Sequence, residues 1–111
     1  MPRRRYRVRW AEVAVRDLEE LVGYIATDSA LDANRVLDRL EKRAAALESN
    51  PARGRVVPEL AHFGMRTWRE LVVRPYRVVY RIEADTVTVL AVVDGRRDLE
   101  DLLLERLLRT S

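Results

Sequence analysis

The sequence predicts an α+β fold: an N-terminal strand, an antiparallel helical hairpin, a three-stranded antiparallel meander and a C-terminal helix. Apolar residues alternate with polar ones in residues 5–10 and again in 67–93, which is the spacing of strands half buried in a sheet. In residues 11–49 and after Gly95 they recur every three or four positions, as on one helix face. Residues 51–66 carry prolines and glycines without a period, which predicts a surface loop.

The composition indicates a globular chain with a charged exterior. Of 111 residues, 48% are hydrophobic and 35% charged, so we expect a single domain over residues 1–111. Cysteine is absent and histidine occurs once, which argues against disulfides, thiol chemistry, a metal site or a cofactor. No stretch approaches the roughly 18–20 apolar residues of a membrane span, so we expect a cytoplasmic protein without membrane contact.

The first strand and the first helix meet at Ala11. Tyr6, Val8 and Trp10 alternate with arginines, which makes one face of the strand apolar. The helix that follows runs to about Thr27 and begins without a Ser, Thr, Asp or Asn cap. Its apolar stripe consists of Ala14, Leu18, Leu21, Val22 and Ile25.

The second helix begins after a break at Asp28 and Ser29 and ends near residue 49. Ser29 precedes Asp32 by three positions, which is an imperfect capping box. Asn50-Pro51 ends the helix because the proline ring disfavours helical geometry in the preceding residue. The apolar stripe consists of Ala33, Val36, Leu37, Leu40, Ala44 and Leu47.

The loop carries one predicted helical turn at Glu59–His62, and a meander follows it. Its strands are predicted at residues 67–74, 76–83 and 86–93. The turns at Pro75 and at residues 83–85 are short enough to force antiparallel neighbours. The residues predicted to face the core are Leu71, Val73, Tyr76, Val78, Tyr80, Ile82, Val87, Val89, Ala91 and Val93.

Exposed arginines form one candidate binding surface. Arg77 and Arg81 share the strand face opposite the predicted core residues, and Arg96 and Arg97 follow the last strand. The planar guanidinium suits phosphates and carboxylates, so nucleic acids and acidic proteins are both chemically suitable partners. A solvated sheet face that carries charge only for solubility is the alternative interpretation.

The C-terminal helix is the second candidate surface. Its first apolar face consists of Leu99, Leu102, Leu103 and Leu107. Leu104 and Leu108 widen that face, and Leu102, Leu104 and Leu108 cannot all pack on one sheet. The pattern fits either a fully packed terminal helix or a docking surface for another chain.

Several short patterns together cover nearly the whole chain. They are YRVRW, DLEELVGYI, the loop residues Asn50, Pro51, Gly54, Arg55, Pro58, Glu59 and Leu60, and then REL, PYRVVYR and GRRDLEDLL. In this order and spacing they resemble the RelE/ParE family of bacterial toxins. The resemblance implies the toxin half of a type II toxin–antitoxin pair that a cognate antitoxin neutralises. It also implies a homodimer or a heterotetramer with the antitoxin, and contact with operator DNA only through that complex.

The resemblance implies one of two activities. RelE-like members cleave messenger RNA on the ribosome, whereas ParE-like members inhibit DNA gyrase and so block replication. Arg77 and Arg97 match paired basic positions of RelE-like enzymes. The lysines and the tyrosine that complete such a site are replaced here by Trp68, Glu70 and Leu103.

The missing proton-transfer groups favour a ParE-like gyrase inhibitor over an enzyme. Other nuclease members place a histidine where this chain has Asp94, a carboxylate that would repel RNA phosphate. His62 lies in the loop, where a lone histidine is usually a surface group. One alternative is a ribosome-dependent endoribonuclease that uses Arg77, Arg97, Glu59 and Asp94, although Glu59 and Glu70 are more typical of ion-pair partners. The other alternative is a small interaction module without toxicity.

Overall fold

The predicted order of strands and helices is present in the computed structural model, which describes residues 5–96 and 99–110. The strands are β1 (Arg7–Trp10), β2 (Arg55–Val56), β3 (Trp68–Val73), β4 (Tyr76–Glu83) and β5 (Thr86–Asp94). The helices are α1 (Glu12–Ala26), α2 (Ala30–Ala45), α3 (Pro58–Ala61) and α4 (Glu100–Thr110). Short 3₁₀ turns lie at Ala46–Glu48 and Pro51–Arg53. The predicted α+β class is therefore confirmed.

The five strands form one sheet in the order β1-β5-β4-β3-β2. β1 pairs with β5 in parallel, and the other neighbours are antiparallel. β2 corrects the prediction of an unstructured loop over residues 51–66, since Arg55 and Val56 pair with β3. Two residues are too few to show the alternation of a strand. The helical turn predicted at Glu59–His62 is present as α3, one residue earlier.

α1 and α2 form the predicted antiparallel hairpin and cover one face of the sheet. The Ser29 hydroxyl accepts a hydrogen bond from the Asp32 N–H at 3.1 Å, which confirms the predicted cap of α2. α1 begins without a side-chain cap, as expected. The buried residues of this first core are Ala14, Leu40, Leu47, Leu71, Val73, Tyr76, Val78, Tyr80, Val87, Val89 and Val92.

α3 and α4 pack on the second face of the sheet and bury a second core. Its buried residues are Val57, Leu60, Trp68, Val79, Leu90, Ala91, Val93, Leu99, Leu103 and Leu107. β4 and β5 are therefore covered on both faces over most of their length, in a helix–sheet–helix arrangement. No helix in the described part of the chain is long and apolar enough to cross a membrane.

A β-bulge in β5 corrects part of the predicted core. Val89 and Ala91 pair with adjacent residues of β4, so Leu90 between them is extra. An extra residue reverses the alternation of a strand. Val87 and Val89 face the first core as predicted, but Ala91 and Val93 face the second, and the prediction that all four share one face is wrong.

The terminal helix is packed on one side only. Leu99, Leu103 and Leu107 are buried, and Leu102 and Leu104 are half-buried against the second core. Leu108 is 81% exposed. Of the leucines proposed for docking, Leu108 is thus the one that presents most of its side chain to solvent.

Candidate functional site

Four charged side chains form a network on the second face of the sheet, which we name the ion cluster: Arg55, Glu59, Glu70 and Arg77. The Arg77 Nη1 and Nη2 atoms donate to the two Glu59 carboxylate oxygens at 2.6 and 2.7 Å. The Arg77 Nε donates to Glu70 Oε1 at 2.6 Å, and the Arg55 Nε donates to Glu70 Oε2 at 2.6 Å. Each charge in the cluster therefore contacts an opposite charge with good geometry.

Strand register and a proline-started helix bring the ion cluster together. Glu70 on β3 is diagonal to Arg77 on β4, and Arg55 on β2 lies directly opposite Glu70. Such positions on one sheet face are within reach of long side chains. Glu59 comes from the first turn of α3, which Pro58 starts at a position where proline is favoured.

Arg77 does not lie on a solvated sheet face. Arg77 is 8% exposed and Glu70 is 1% exposed, whereas the Arg55 side chain is 60% exposed. The interpretation of this face as charge kept only for solubility is therefore wrong for Arg77. The expectation that Glu59 and Glu70 serve as ion-pair partners is confirmed.

The ion cluster shifts the pKa of Glu59 and of Arg77. The hydrogen bonds from Arg77 lower the pKa of the Glu59 carboxyl, against the opposing effect of burial. The hydrogen bonds that Arg77 makes to Glu59 raise the pKa of Arg77, and those to Glu70 raise it further. Both shifts favour the charged forms, so Glu59 and Arg77 form an ion pair at neutral pH.

The low pKa of Glu59 predicts that the ion cluster weakens in acid. The pKa of Glu59 in the folded chain lies below the ordinary 4.5. The contribution of Glu59 to the free energy of unfolding is therefore complete above pH 4.5 and is lost as the pH falls through the folded pKa. We expect Glu59→Gln to reduce the free energy of unfolding by about 1 to 3 kcal/mol at neutral pH. The difference from wild type should shrink in acid, as measured by urea unfolding over a pH series.

Asp32→Asn is the matched control for that series, since Asp32 forms an exposed pair with Arg35. Its effect should stay below about 1 kcal/mol at every pH. A Glu59→Gln difference that persists unchanged in acid would contradict the assignment of the low pKa to this pair.

A tyrosine hydroxyl holds the segment that leads into the ion cluster. The Tyr80 Oη donates to the Pro51 carbonyl at 2.5 Å and accepts from the Gly54 N–H at 3.0 Å. Arg69 Nη1 donates to the Gly54 carbonyl at 2.7 Å. Burial raises the pKa of Tyr80, which keeps the hydroxyl protonated. The segment before Arg55 is thereby fixed against the sheet.

Asp17 joins α1, β5 and α4, and sequence reasoning missed it. β1 ends at Trp10, so within the described residues no strand pairs with the edge of β5 beyond Val89 on that side. The Asp17 Oδ2 accepts the Val92 N–H at 3.0 Å and also pairs with Arg106 Nη1 at 2.5 Å. No local pattern connects two residues so far apart in sequence, so only the folded structure reveals this contact.

The comparisons with known proteins decide the family. The model of the ParE toxin of the type II toxin–antitoxin system parDE matches residues 8–99. The chain belongs to the ParE toxin family. A curated protein of Sinorhizobium fredii, named "Putative toxin Y4kP", is 35% identical over 101 residues, which cover 89% of this chain and 98% of that protein.

Solved toxin structures share the fold of this ParE-family chain. A structure described as the chromosomal ParDE system of P. aeruginosa has a TM-score of 0.67 at 16% identity, covering 82% of this chain and 97% of that one. The free E. coli toxin RelE, in a mutant form, has a TM-score of 0.64 at 18% identity, covering 96% and 99%. The RelBE2 toxin–antitoxin complex of Mycobacterium tuberculosis has a TM-score of 0.60 at 27% identity, covering 81% and 91%.

In this ParE-family chain the positions that correspond to a RelE-like nuclease site are packed. Trp68 and Leu103 are buried in the second core. Of the residues named for the nuclease alternative, Arg77 and Glu59 come together, but they bind each other, and Glu70 also binds Arg77. Arg97, the other predicted basic residue, lies outside the described residues. The described positions that correspond to such a site are therefore occupied by apolar packing and by the ion cluster.

The other predicted site residues lie apart from the ion cluster. Asp94 ends β5, and its Oδ1 accepts from Arg96 Nε at 2.9 Å. This bond raises the pKa of Arg96, whose side chain is 74% exposed. His62 is exposed and contacts Phe63 edge to face, with ring centroids 5.3 Å apart. Nowhere among the described residues do three or more His, Cys, Asp or Glu side chains cluster as metal ligands would.

Arg81 occupies a third location, near the other end of β4. Its guanidinium lies 5.3 Å from the centre of the Trp68 ring, and Nη2 pairs with Glu83 Oε2 at 3.0 Å. The Arg81 side chain is 35% exposed. Arg77 and Arg81 thus share a strand face, as predicted, but only Arg81 reaches solvent to a useful extent.

Proposed function

We propose that this ParE-family toxin inhibits DNA gyrase by binding it, and so blocks replication, without catalysing a reaction. One observation carries the proposal: the described positions that would hold RNA-cleaving groups are closed by the Glu59–Arg77–Glu70 pairs and by Trp68 and Leu103. A nuclease needs a cation that is free to bind the scissile phosphate. Arg77 is instead matched by two carboxylates.

Electrostatics support the same conclusion. A phosphate that approached Arg77 would first have to displace Glu59, whose carboxylate makes two short hydrogen bonds to it. It would also approach Glu70, a buried carboxylate that repels it. Breaking a buried pair without replacing it costs about 3 to 5 kcal/mol, which a single phosphate contact would not offset. Both carboxylate oxygens of Glu59 and of Glu70 already accept hydrogen bonds from arginines, which leaves neither group directed at a substrate proton.

The surface for gyrase is proposed at the outer side of α4 and at the exposed arginines. Leu108 is the most exposed large apolar residue of the described chain, and exposed apolar side chains next to cations are typical of protein contacts. We include the exposed Arg96 and the half-exposed Arg81 in the proposed contact as its cations, and the half-buried Leu102 and Leu104 extend the apolar area. Arg77, the remaining arginine proposed for binding, is held by Glu59 and Glu70.

A cognate antitoxin is proposed as the partner that silences the toxin. An acidic, disordered segment would lie along the hairpin and the sheet edge, bury apolar residues and pair its carboxylates with arginines. Tyr24 and Leu31, which are 76% and 60% exposed, offer apolar contacts on the hairpin. We further propose one toxin domain over residues 1–111, cytoplasmic location, assembly as a homodimer or as a heterotetramer with the antitoxin, and contact with operator DNA only through that assembly.

Leu108→Asp is expected to weaken gyrase inhibition about tenfold, since an interface anchor typically contributes at least 1.4 kcal/mol of binding energy. The measurement is the toxin concentration that halves DNA supercoiling by purified gyrase. Because Leu108 is exposed, the Tm should not change. Leu31→Asp is the matched control at an exposed leucine of α2, and it should inhibit like wild type. Equal inhibition by all three proteins would rule out α4 as the contact.

Induction of the toxin in bacteria that lack the antitoxin tests the target itself. Incorporation of labelled thymidine should stop before that of labelled methionine, and the cells should form filaments. If protein synthesis stops first, the ribosome is the target, and Arg77, Arg97, Glu59 and Asp94 become the residues to substitute. Growth without either effect would favour a non-toxic interaction module.

A further inference from the structure

A row of side chains crosses four strands at the end of the sheet away from the ion cluster. Arg9 on β1 pairs in register with Thr88 on β5, Thr88 with Arg81 on β4, and Arg81 with Trp68 on β3. These side chains face the second side of the sheet. Together with the start of α1 they line a cleft of about 270 Å³, to which neither α3 nor α4 contributes a lining residue. We name these side chains the arginine row, and we include Arg7, which lies two residues before Arg9 on β1. The three cations of the row are Arg7, Arg9 and Arg81.

Two of the three cations of the arginine row, Arg7 and Arg9, are not matched by carboxylates, and the third, Arg81, pairs with the exposed Glu83. Arg7 and Arg9 are exposed, and neither side chain forms an ion pair within residues 5–96 and 99–110. Glu83 is paired with Arg81, and Glu12 is paired with Arg16 at 3.3 Å. The row therefore keeps positive charge available for a partner.

Arg81 also has a hydrogen-bond donor to spare. Its Nε is the one buried side-chain nitrogen or oxygen of the described residues that has no hydrogen-bond partner. Leaving a buried donor unpaired is unfavourable, so a small movement of the guanidinium toward an incoming acceptor would be favourable. The ion pair with Glu83 is held on the solvent side, where the Glu83 side chain is 68% exposed.

Spacing and stacking indicate the partner. Arg7 and Arg9 lie about 7 Å apart along β1, and Arg9 lies about 10 Å from Arg81 across two strand spacings. The three cations are therefore spaced to bind one extended anionic partner. Single-stranded nucleic acids bind on exposed aromatic rings, but Trp68 is 6% exposed and lies beneath Arg81. The row offers contacts to phosphates and none to bases.

We propose that the arginine row binds the phosphodiester backbone of duplex DNA without reading its sequence. Since gyrase itself acts on DNA, such a contact would add affinity for the enzyme while it holds its substrate. That last consequence rests on the proposed function, whereas DNA binding by the chain does not. The contact is distinct from operator binding, which is expected to require the antitoxin.

The test is fluorescence anisotropy of a labelled, mixed-sequence duplex with the purified full chain and no gyrase. With three phosphate contacts, the logarithm of the affinity should fall with the logarithm of salt concentration with a slope of about −2.7. Arg7→Ala/Arg9→Ala should reduce the affinity about tenfold near 50 mM salt and make the slope shallower by about 2. Arg7→Lys/Arg9→Lys keeps both charges and should retain most of the slope.

Arg35→Ala/Lys42→Ala is the matched control. It removes the same charge from exposed positions of α2, which packs on the opposite face of the sheet. Its DNA affinity and salt slope should equal those of wild type. An equal loss in the control, no loss in Arg7→Ala/Arg9→Ala, a loss in the lysine variant as large as in the alanine variant, or tighter binding of single-stranded RNA would each overturn the proposal.

A parallel supercoiling assay separates this inference from the proposed function. Gyrase inhibition without any DNA affinity of the toxin would overturn the arginine row as a DNA contact and leave gyrase as the target. DNA affinity with the expected salt slope but without gyrase inhibition would support the row and overturn the proposed function.

Discussion

Arg77→Met is expected to reduce the free energy of unfolding by about 3 to 5 kcal/mol, because it leaves two carboxylates without their shared cation. Glu70 is 1% exposed and cannot recover water, and only Arg55 would remain to neutralise it. Methionine fills most of the volume, so the loss is electrostatic. Urea unfolding followed by circular dichroism measures it, and the Tm should fall by roughly 10 to 20 °C.

A second substitution separates the unpaired charge from lost packing. Arg77→Met/Glu70→Leu removes both buried charges and should be more stable than Arg77→Met alone, since replacing a whole buried pair by apolar groups is often nearly neutral. Arg35→Met, at an exposed ion pair of α2, should change stability by less than about 1 kcal/mol. If the double variant is no more stable than the single one, packing rather than charge explains the role of Arg77.

The residues of the loop pattern that carries the family resemblance hold the loop against the sheet. The Pro51 carbonyl and the Gly54 N–H bind the Tyr80 hydroxyl, and Arg55 and Glu59 supply two members of the ion cluster. Leu60 is fully buried in the second core. The pattern therefore fastens the loop to the sheet, and none of these residues needs a role in a reaction.

Periodicity predicted the elements because burial acts on each of them locally. The stripes of α1 and α2 and the alternation along β4 record which side of each element faces the core. Strand partners follow from the whole fold, so the parallel pairing of β1 with β5 and the short β2 were beyond a local pattern. The bulge at Leu90 was hidden for a related reason: a strand covered on both faces is apolar throughout, and its alternation carries little information.

The candidate site was predictable in its residues but not in its contacts. The sequence placed Arg77 and Arg81 on one strand face and singled out Glu59 and Glu70 as ion-pair carboxylates. It could not show that α3 brings Glu59 onto Arg77, or that Arg77 is buried while Arg81 is half-exposed. Contacts between residues distant in sequence depend on how helices cover the sheet, and this information is absent from any single segment.

The distinction between a binding toxin and an enzyme depends on the state of one cation. A free arginine on this sheet face could stabilise the charge of a cleaved phosphate, whereas Arg77 is already neutralised by Glu59 and Glu70. Within the described residues, cations without an ion pair lie instead on β1, at Arg7 and Arg9, and the more exposed Arg81 lies at the other end of β4 from Arg77. This separation of free charge from a reaction centre fits a surface that binds.

Gly54→Ala is expected to reduce the free energy of unfolding by about 3 kcal/mol, the cost of forcing a methyl group into a packed site. Its backbone has φ −75°, which any residue adopts, so the effect is steric. A Cβ at this position would overlap the Tyr80 hydroxyl and lie 2.6 Å from the Glu70 carbonyl oxygen. Thermal unfolding measures the loss, and a change below about 0.5 kcal/mol would contradict the close approach.

Two variants identify the source of the Gly54→Ala effect. Gly23→Ala, in the exposed interior of α1 where the new Cβ would meet nothing within 4 Å beyond its own stretch of helix, should stabilise the chain by about 0.5 to 1 kcal/mol. Tyr80→Phe alone should cost about 1 to 3 kcal/mol, because it leaves the Gly54 N–H and the Pro51 carbonyl unpaired. Since it also removes the nearest obstacle to the new methyl group, Gly54→Ala/Tyr80→Phe should cost less than the sum of the two single substitutions. Strict additivity would place the strain at the Glu70 carbonyl instead, and so assign the close packing of Gly54 to the sheet backbone rather than to the tyrosine.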